Sequence, residues 1–252
     1  MKYLRKFDSL ADLNTAIQGS SISFMGLAYN NGTPVVGNKV VPPTPPAPTH
    51  GYVEIGGIKW ATMNVGASTI YDYGLYFQWG DIQGYTAGQV GWGSGQKAFT
   101  WDDYKFNPSH DGQTFTKYNS TDGKTTLDLE DDAVHTAWGG NWRIPTANEF
   151  QTLGNSVNAV WTTNYNGSGV NGLVCSDKTD NSKVLFFPAS GWCSNESNSV
   201  VAIGEFGGFW SSSRYDISSA YEGATFNAYS EFEWCIDYLR CVGHPVRGVL
   251  DD

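Results

Sequence analysis

The chain has 252 residues and a formal net charge of −10, from 25 acidic residues against 15 lysines and arginines. This balance argues against nucleic acid as a partner, because phosphate recognition needs a basic surface. No apolar run approaches the roughly 18 residues that a membrane-spanning helix needs, so we expect no membrane insertion. Aromatic residues make up 15% of the chain and glycines number 30. Such a composition is typical of a loop-rich fold with scattered aromatic anchors.

Residues 1–41 are predicted to form a small attachment or oligomerisation module. A short helix is expected from Ser9 to Gly19, because Ser9 and Asp12 form a capping box and Gly19 suits a helix end. So short a segment does not easily bury a core alone, so we expect it to dock on a partner or on further copies. A frayed arm is the alternative. The segment lacks the apolar region of a signal peptide, so we expect synthesis in the cytoplasm.

A proline-rich linker is predicted over residues 42–50, where PPTPPAPT favours an extended conformation. Residues 51–252 are expected to form one domain of the α+β class, with short strands between Gly/Asn/Ser/Asp loops. The strand-like runs are Tyr52–Trp60, Gly74–Trp79, Ser182–Phe187 and Val246–Leu250.

Two helices are predicted inside this domain. The first spans Leu129–Trp138, where acidic residues in the first turn suit the positive end of a helix and two glycines end it. The second spans Thr146–Leu153, with a capping box formed by Thr146 and Glu149 and with Gly154 as its end. Two helices among many short strands indicate an α+β arrangement.

Several motifs follow one another along the domain. They are IKWATMNVGA (58–67), YGLYFQWGD (73–81), LEDDAVHTAWGGNWRIPTANEF (129–150), GVNGLVCSDK (169–178), FFPASGW (186–192), GGFWSSS (207–213) and GHPVRGV (243–249). This series resembles the major paralogous domains of Bacteroidetes, which belong to the formylglycine-generating-enzyme-like branch of the C-type lectin fold. The resemblance implies a C-type lectin-like fold with two short helices, small antiparallel sheets and long loops. Residues 1–41 resemble N-terminal segments of Bacteroides phage structural proteins.

The C-terminal part also resembles the variable proteins of diversity-generating retroelements, which place variable residues between a WSSS-like motif and the last strand. This resemblance puts the variable region at about residues 207–249. Adenine mutagenesis of an Asn codon cannot produce Glu or Trp, so such residues are interpreted as fixed. By this rule Glu222, Glu231, Glu233 and Trp234 are fixed, and Trp210 and Arg247 of the flanking motifs complete the predicted scaffold of the variable region. The diversified, ligand-binding positions are Arg214, Tyr215, Asp216, Ile217, Ser218, Ser219, Tyr221, Ala228, Tyr229, Cys235, Ile236, Asp237, Tyr238, Cys241 and Val242.

The residues from 235 to 242 follow neither the period of a strand nor that of a helix. An aromatic and apolar mixture without a period favours an exposed recognition surface. Tyrosine offers contact area at low entropic cost. The expected anchors are therefore Tyr215, Tyr221, Tyr229, Tyr238 and Phe232, with Arg214 and Asp216 or Asp237 at the rim. For Phe226 and Phe232, a place in the core of the last sheet is equally open.

Catalysis is not expected. Formylglycine-generating enzymes bind copper through two cysteines separated by four residues, whereas Cys235 and Cys241 enclose five. The four histidines match no nucleophile–base pattern. We expect the four cysteines to be free thiols or packing residues. Arg143 and Arg247, in the motifs WRIP and PVRG, are expected to form salt bridges or backbone contacts.

No cofactor is expected. The Glu-Pro-Asn and Trp-Asn-Asp motifs of calcium-dependent lectins do not occur in the sequence. The acidic runs 130–132 and 102–103 leave a structural calcium ion open in principle. Capping of a helix start by Glu130 and Asp131 is the favoured interpretation.

Together these resemblances imply a hypervariable receptor-binding protein at the tip of a phage tail fibre, which recognises a host cell-surface protein or glycan. Residues 1–41 would join it to other tail-fibre proteins. Display in several copies would raise avidity, which favours a homotrimer. Its expected location is the virion, with the bacterial cell surface as the alternative. Other functions left open are a cellular Bacteroidetes adhesin or pilus-tip protein, a non-binding virion decoration protein and, disfavoured, a formylglycine-generating-type oxidase.

Overall fold

The computed structural model describes residues 27–30, 33–36, 50–215, 222–229 and 232–252. Within these ranges it describes the backbone alone at 27–30, 33–36, 224 and 232–236. The chain divides into two compact units, Met1–Ala47 and Pro48–Asp252. In the first unit, β1 (Leu27–Asn30) and β2 (Thr33–Val36) form an antiparallel pair. The predicted helix at Ser9–Gly19 and most of the predicted linker lie outside the described residues.

The second unit is mixed α+β, with few helices and several small antiparallel sheets. A four-stranded sheet has the order β3-β4-β14-β5, formed by Tyr52–Ile55, Ile58–Asn64, Arg247–Leu250 and Trp142–Arg143. A three-stranded sheet comprises β6 (Val157–Thr162), β7 (Gly172–Asp177) and β8 (Val184–Pro188). Another comprises β11 (Gly207–Arg214), β12 (Glu222–Ala228) and β13 (Phe232–Leu239). A short pair joins β9 (Trp192–Cys193) to β10 (Val200–Val201).

The first predicted helix is wrong at its start. A 3-10 turn covers Leu129–Asp131, and α1 begins separately and spans Ala133–Trp138. The cause is Asp132, whose extended backbone interrupts the helix while its carboxylate accepts hydrogen bonds from the amides of His135 (2.9 Å) and Ile144 (2.7 Å). Asp132 therefore caps α1, and Glu130 and Asp131 do not lie in its first turn.

The second predicted helix is confirmed at its start and extends further at its end. In α2 (Ala147–Ser156), the Thr146 hydroxyl accepts from the Glu149 amide, and the Glu149 carboxylate accepts from the Thr146 amide at 2.7 Å. These reciprocal bonds satisfy two amides that the first helical turn would otherwise leave open. The helix runs past Gly154, so the expected end there is wrong.

Two of the predicted strand runs are interrupted. Gly56 and Gly57, both with positive φ, turn the chain so that Tyr52–Trp60 belongs to two antiparallel strands. Within Gly74–Trp79 only single bridges form, at Tyr76 and Phe77. The other two runs are confirmed as β8 and β14, each with a slightly later start.

The core that supports the β11–β12–β13 sheet is aromatic. Phe226 of β12 is fully buried and stacks on Phe150 of α2, with ring centroids 4.9 Å apart. It also meets Phe187 of β8 edge-on at 5.0 Å. Burying each such ring contributes about 1.5–3 kcal/mol relative to exposure. Phe226 is therefore a core residue, whereas only the backbone is described for Phe232.

No helix in the described ranges has the length and apolar character to cross a bilayer.

Candidate ligand-binding face

The β11–β12–β13 sheet carries most of the described part of the predicted variable region. In the β12–β13 ladder, Thr225 pairs with Ile236 and Phe226 pairs with Trp234, so Cys235 is an extra residue on β13. Such a β-bulge shifts the alternation of side chains by one residue. The strand then ends at Leu239. The missing period after residue 235 therefore arises from a bulge and a strand end, and not from uniform exposure.

Four predicted ligand-binding residues are at least partly accessible to solvent. The Tyr215 side chain is 42% exposed and Asp237 is also exposed, while Tyr229 and Tyr238 are half-buried. Tyr238 and Asp237 pair across the ladder with residues 223 and 224 of β12. These four residues can contact a ligand without any change in the described structure.

Four others are buried, which contradicts the expectation that their side chains contact a ligand. They are Arg214, Ala228, Cys241 and Val242, each at most 5% exposed. Ala228 packs in the same core cluster as Phe226, and Cys241 and Val242 follow the end of β13 into the other main cluster. Arg214 is not at a rim, because its Nη1 atom donates to the buried backbone oxygen of Tyr118 at 3.1 Å.

The remaining predicted positions are not described in full. Outside the described residues lie Asp216, Ile217, Ser218, Ser219, Tyr221 and Glu231. Only the backbone is described for Glu233, Trp234, Cys235 and Ile236. Their role as variable or scaffold positions stays a prediction.

Tyr229 and Tyr238 belong to an aromatic patch that also includes Trp192 of β9 and Phe206. Phe206 lies 4.6 Å from Tyr229 and 6.4 Å from Tyr238, measured between ring centroids. Trp192 lies 5.5 Å from Tyr238 and is half-buried, whereas Phe206 is buried. Sequence reasoning missed Trp192 and Phe206 as members of the face. Both precede the predicted variable region, and only the position of Trp192 at the end of FFPASGW hinted at a role.

His244 forms the floor of the aromatic patch. Its ring is fully buried, 4.6 Å from Tyr238 and 4.7 Å from Trp210 between centroids. Burial lowers the pKa of His244 to about 3, so the imidazole is neutral near pH 7. Its backbone exchanges two hydrogen bonds with Phe77, at 2.9 and 3.0 Å. His244 thus pairs two segments, and the floor it provides is uncharged.

Two described scaffold residues are held in fixed positions. Trp210 is buried, and its indole N–H donates to the backbone oxygen of Phe77 at 2.7 Å. The Arg247 guanidinium donates to Asn64 Oδ1 at 2.7 Å and to the backbone oxygens of Ala61 and Phe186, both at 3.0 Å. Burial lowers the pKa of Arg247 to about 9. The expected backbone contacts of Arg247 are confirmed.

The other scaffold contact involves Glu222, which is half-buried and whose backbone oxygen accepts from Arg240 Nε at 3.3 Å. Arg240 also donates to the Tyr118 backbone oxygen at 3.0 Å, the same atom that accepts from Arg214. Its guanidinium lies over the Trp79 ring, 4.5 Å from the centroid. The loop at Tyr118 is thereby tied to the end of β11 and to the turn after β13. Arg143 forms the expected salt bridges, to Glu149 and Asp251.

Among the described residues, the carboxylates of Asp128, Glu130 and Asp131 form a cluster whose oxygen atoms lie within 4.8 Å of one another. The ammonium of Lys117 lies among them, 2.6 Å from Asp128, 2.6 Å from Glu130 and 2.5 Å from Asp131. Lys105 adds a further bond to Asp131 at 2.8 Å. Although burial opposes the charge of Lys117, the carboxylates outweigh it and raise its pKa. Each carboxylate is therefore already paired with a lysine ammonium.

The described thiols have no activated character. Cys175, Cys193 and Cys241 are buried and free, which confirms the expectation for these three. Burial raises the pKa of all three, and that of Cys241 to about 12. A thiolate nucleophile or metal ligand needs a lowered pKa, so Cys241 is a packing residue.

A groove of about 430 Å³ lies elsewhere on the second unit, beside the β3–β4 turn and the end of α2. Its walls include Glu54, Asp177, Lys178 and Lys183, and none of its lining residues is a predicted ligand-binding residue.

Searches of protein-family models, curated proteins and solved structures find no match to this chain.

Proposed function

We propose that this chain is a receptor-binding protein whose ligand face is the aromatic patch of Trp192, Phe206, Tyr229 and Tyr238. Tyr215 and Asp237, which were predicted from the sequence and are exposed, are proposed as further ligand contacts. One observation carries the proposal: two residues predicted to be diversified form a half-buried aromatic surface on a buried, fixed floor. Binding surfaces are enriched in tyrosine and tryptophan, because these rings give a large contact area at a small entropic cost.

The patch combines accessible side chains with buried supporting residues beneath them, and this arrangement supports the proposed function. A protein that changes its binding specificity has to replace exposed side chains while the backbone beneath them stays in place. His244, Trp210 and Arg247 supply such support, since each is buried and joined to another segment by hydrogen bonds. The patch side chains Tyr229 and Tyr238 are accessible enough to be exchanged.

We assign the fold, within this proposal, to the C-type lectin-like class in its formylglycine-generating-enzyme-like branch. The short helices and small antiparallel sheets of the second unit are compatible with that class. The ordered motifs from residue 58 to residue 249 are the reason for the choice. Oxidase chemistry is disfavoured, because Cys241 is buried and its pKa is raised to about 12.

The setting that we propose is the tip of a phage tail fibre, with residues 1–41 attached to other fibre proteins and a host cell-surface protein or glycan as the ligand. A patch of four aromatic side chains gives modest affinity for each copy. Several copies, as in a homotrimer, raise the avidity without new contacts.

Flow cytometry with fluorescently labelled full-length protein and a panel of Bacteroides strains tests the proposal. We expect Tyr238→Ala to reduce binding to the recognised strains by about tenfold, the loss of one aromatic anchor. Tyr52→Ala is the matched control, since Tyr52 is an exposed tyrosine on β3 and should leave binding unchanged. Equal binding by Tyr238→Ala and the wild type, or no strain bound by the wild type, would overturn the proposal.

A further inference from the structure

The glycine-rich loop from Val90 to Lys97 presents one aromatic side chain to solvent. Trp92 is 67% exposed, the largest value among the large apolar side chains exposed in the described residues. The loop is closed by backbone bonds from Gly91 to Lys97 (3.1 Å) and from Lys97 to Gln89 (2.8 Å). Trp92 therefore projects from a closed, hydrogen-bonded turn.

A polar side chain braces this loop from within. Gln96 Oε1 accepts from the Gly93 amide at 2.9 Å, and Gln96 Nε2 donates to the Val90 backbone oxygen at 3.3 Å. Because these bonds span the loop on both sides of Trp92, they fix the backbone from which the indole projects. The arrangement lowers the entropy that the loop loses when a ligand binds.

A second brace comes from the β9–β10 hairpin. Asn198 is 1% exposed, and its Nδ2 atom donates to the Gly91 backbone oxygen at 2.9 Å. Its Oδ1 atom accepts from the Phe99 amide at 2.7 Å. The loop is thus held against the domain by a buried amide that satisfies two backbone groups.

Glycines flank the indole on both sides, at positions 91 and 93. A Cβ atom at Gly91 would lie 2.3 Å from Gln96 Oε1, and one at Gly93 would lie 2.5 Å from the same atom. The brace by Gln96 therefore requires glycine at both positions. A consequence is that neither sequence neighbour of Trp92 has a side chain that could cover the faces of its ring.

An open indole face on a rigid loop suits a ligand that is flat and carries C–H bonds. The face of an aromatic ring is negative, and it attracts the weakly positive hydrogens on the apolar side of a sugar ring. A protein hot spot is surrounded by further contacts that exclude water, whereas the residues around Trp92 between positions 91 and 96 are Gly, Ser and Gln. Insertion into an anionic membrane surface is disfavoured by the net charge of −10.

We propose that Trp92 is a stacking platform for a pyranose ring of a neutral oligosaccharide, at a site separate from the aromatic patch. The site takes one sugar unit against the indole face, and the Gln96 and Asn198 braces keep that face in position. The proposal does not depend on the receptor-binding function of the patch.

NMR of the tryptophan indole N–H groups in the full-length protein tests this site. The Trp92 signal is identified from its loss in Trp92→Ala, and cellohexaose, maltohexaose and laminarihexaose are the probes. We expect a saturable shift of this signal with at least one probe, and about a tenfold loss of affinity in Trp92→Ala. Leu129→Ala, which removes another exposed apolar side chain, is the control and should bind as the wild type does.

Further variants separate this site from its alternatives. Tyr238→Ala should leave the Trp92 shift unchanged, even where it abolishes binding to cells. Gln96→Ala keeps the indole and removes the brace, and it should weaken binding less than Trp92→Ala does. The proposal is wrong if none of the three sugars shifts the Trp92 signal, or if the signal responds only to protein concentration or to anionic vesicles of phosphatidylglycerol.

Discussion

Tyr238 meets His244 edge-on, with ring centroids 4.6 Å apart and planes inclined at 72°. Tyr238 is predicted to vary and His244 lies in the closing motif of the domain, so the contact joins a side chain predicted to be exchangeable to a buried one. An edge-on aromatic pair contributes about 0.5–1.5 kcal/mol beyond burial of its area. His244 can therefore support different rings at position 238 without any change in its own hydrogen bonds.

Gly208 should be intolerant of any side chain. A Cβ atom there would lie 2.4 Å from Nδ1 of His244, the floor of the aromatic patch, and 2.9 Å from the ring of Phe206, a member of the patch. We expect Gly208→Ala to lower the free energy of unfolding by about 1–3 kcal/mol, as overpacking of a core does. Denaturant unfolding measures this loss. Gly88→Ala is the control, since a Cβ atom there has no neighbour within 4 Å, and equal stability of the two variants would contradict the prediction.

His244 should make the protein less stable as the pH falls below about 6.5. Its pKa is about 3 when folded and 6.5 as a free side chain, so the unfolded state binds a proton first. Stability is then fully present above the unfolded value and is lost toward pH 3. Between pH 7.5 and 5 the expected loss is about 2 kcal/mol.

The difference between the wild type and His244→Gln isolates this effect. Carboxylates with lowered pKa values, and His50, whose pKa burial also lowers, contribute equally to both proteins. Denaturant unfolding over this pH range should show a shallower dependence in the variant. Parallel curves for the two proteins would mean that His244 does not titrate on unfolding.

Arg247→Met should destabilise the domain strongly. The substitution leaves the backbone oxygens of Ala61 and Phe186 and the side chain of Asn64 without their buried donor. Each unsatisfied group costs about 1–3 kcal/mol, so we expect a loss of about 3 kcal/mol or more in thermal or denaturant unfolding. Lys59→Met removes a partly exposed cation that pairs with the exposed carboxylate of Asp252, and it should have little effect. Comparable losses in both variants would be the contrary result.

Lys117→Ala should create a calcium response that the wild type lacks. The substitution removes the ammonium that neutralises Asp128, Glu130 and Asp131, and their oxygens are suitable calcium ligands. We expect calcium to raise the Tm of the variant by mass action and to leave the wild-type Tm unchanged. Lys124→Ala, at the edge of the same group, is the control. A calcium-dependent Tm in the wild type would show that lysine does not exclude the ion.

Within the predicted variable region, natural amino-acid substitutions should be broader at positions with accessible side chains than at positions with buried ones. Deep sequencing of the 3′ end of this gene in a population should find broad substitution at Tyr229, Asp237 and Tyr238. At Ala228 and Cys241, which are buried, only small residues should be recovered. Variation spread evenly over the gene would remove the case for diversification.

Local sequence signals predicted local structure well. The capping box of Thr146 and Glu149 indicated where α2 begins, because both partners lie within one helical turn. Asp132 was harder to interpret. Its cap bond from the His135 amide is local, but its other carboxylate oxygen accepts from the amide of Ile144, which belongs to a different segment and which no local pattern indicates.

Which predicted residues belong to the candidate binding face depends on contacts between distant segments, and no local sequence pattern indicates those contacts. Burial of Arg214 follows from an acceptor at Tyr118, 96 positions earlier in the chain. The bulge at Cys235 is a property of pairing between two strands, and it cannot be recognised in one strand alone. Phe206 joins Tyr229 only after β11 and β12 have paired. The predicted residues therefore include both surface and core.

The sheet order β3-β4-β14-β5 also determines how the second unit responds to a mechanical pull. Tension applied to the chain at residue 51 enters at β3, which pairs with β4 alone among the described strands. The β3–β4 pair therefore bears this load directly, and β14, where Arg247 is anchored, receives it only through β4. Tyr238 lies in another sheet, on β13, and Tyr229 directly follows β12 of that sheet. We therefore expect tension to separate β3 from β4 before it deforms the sheet that carries the proposed binding face.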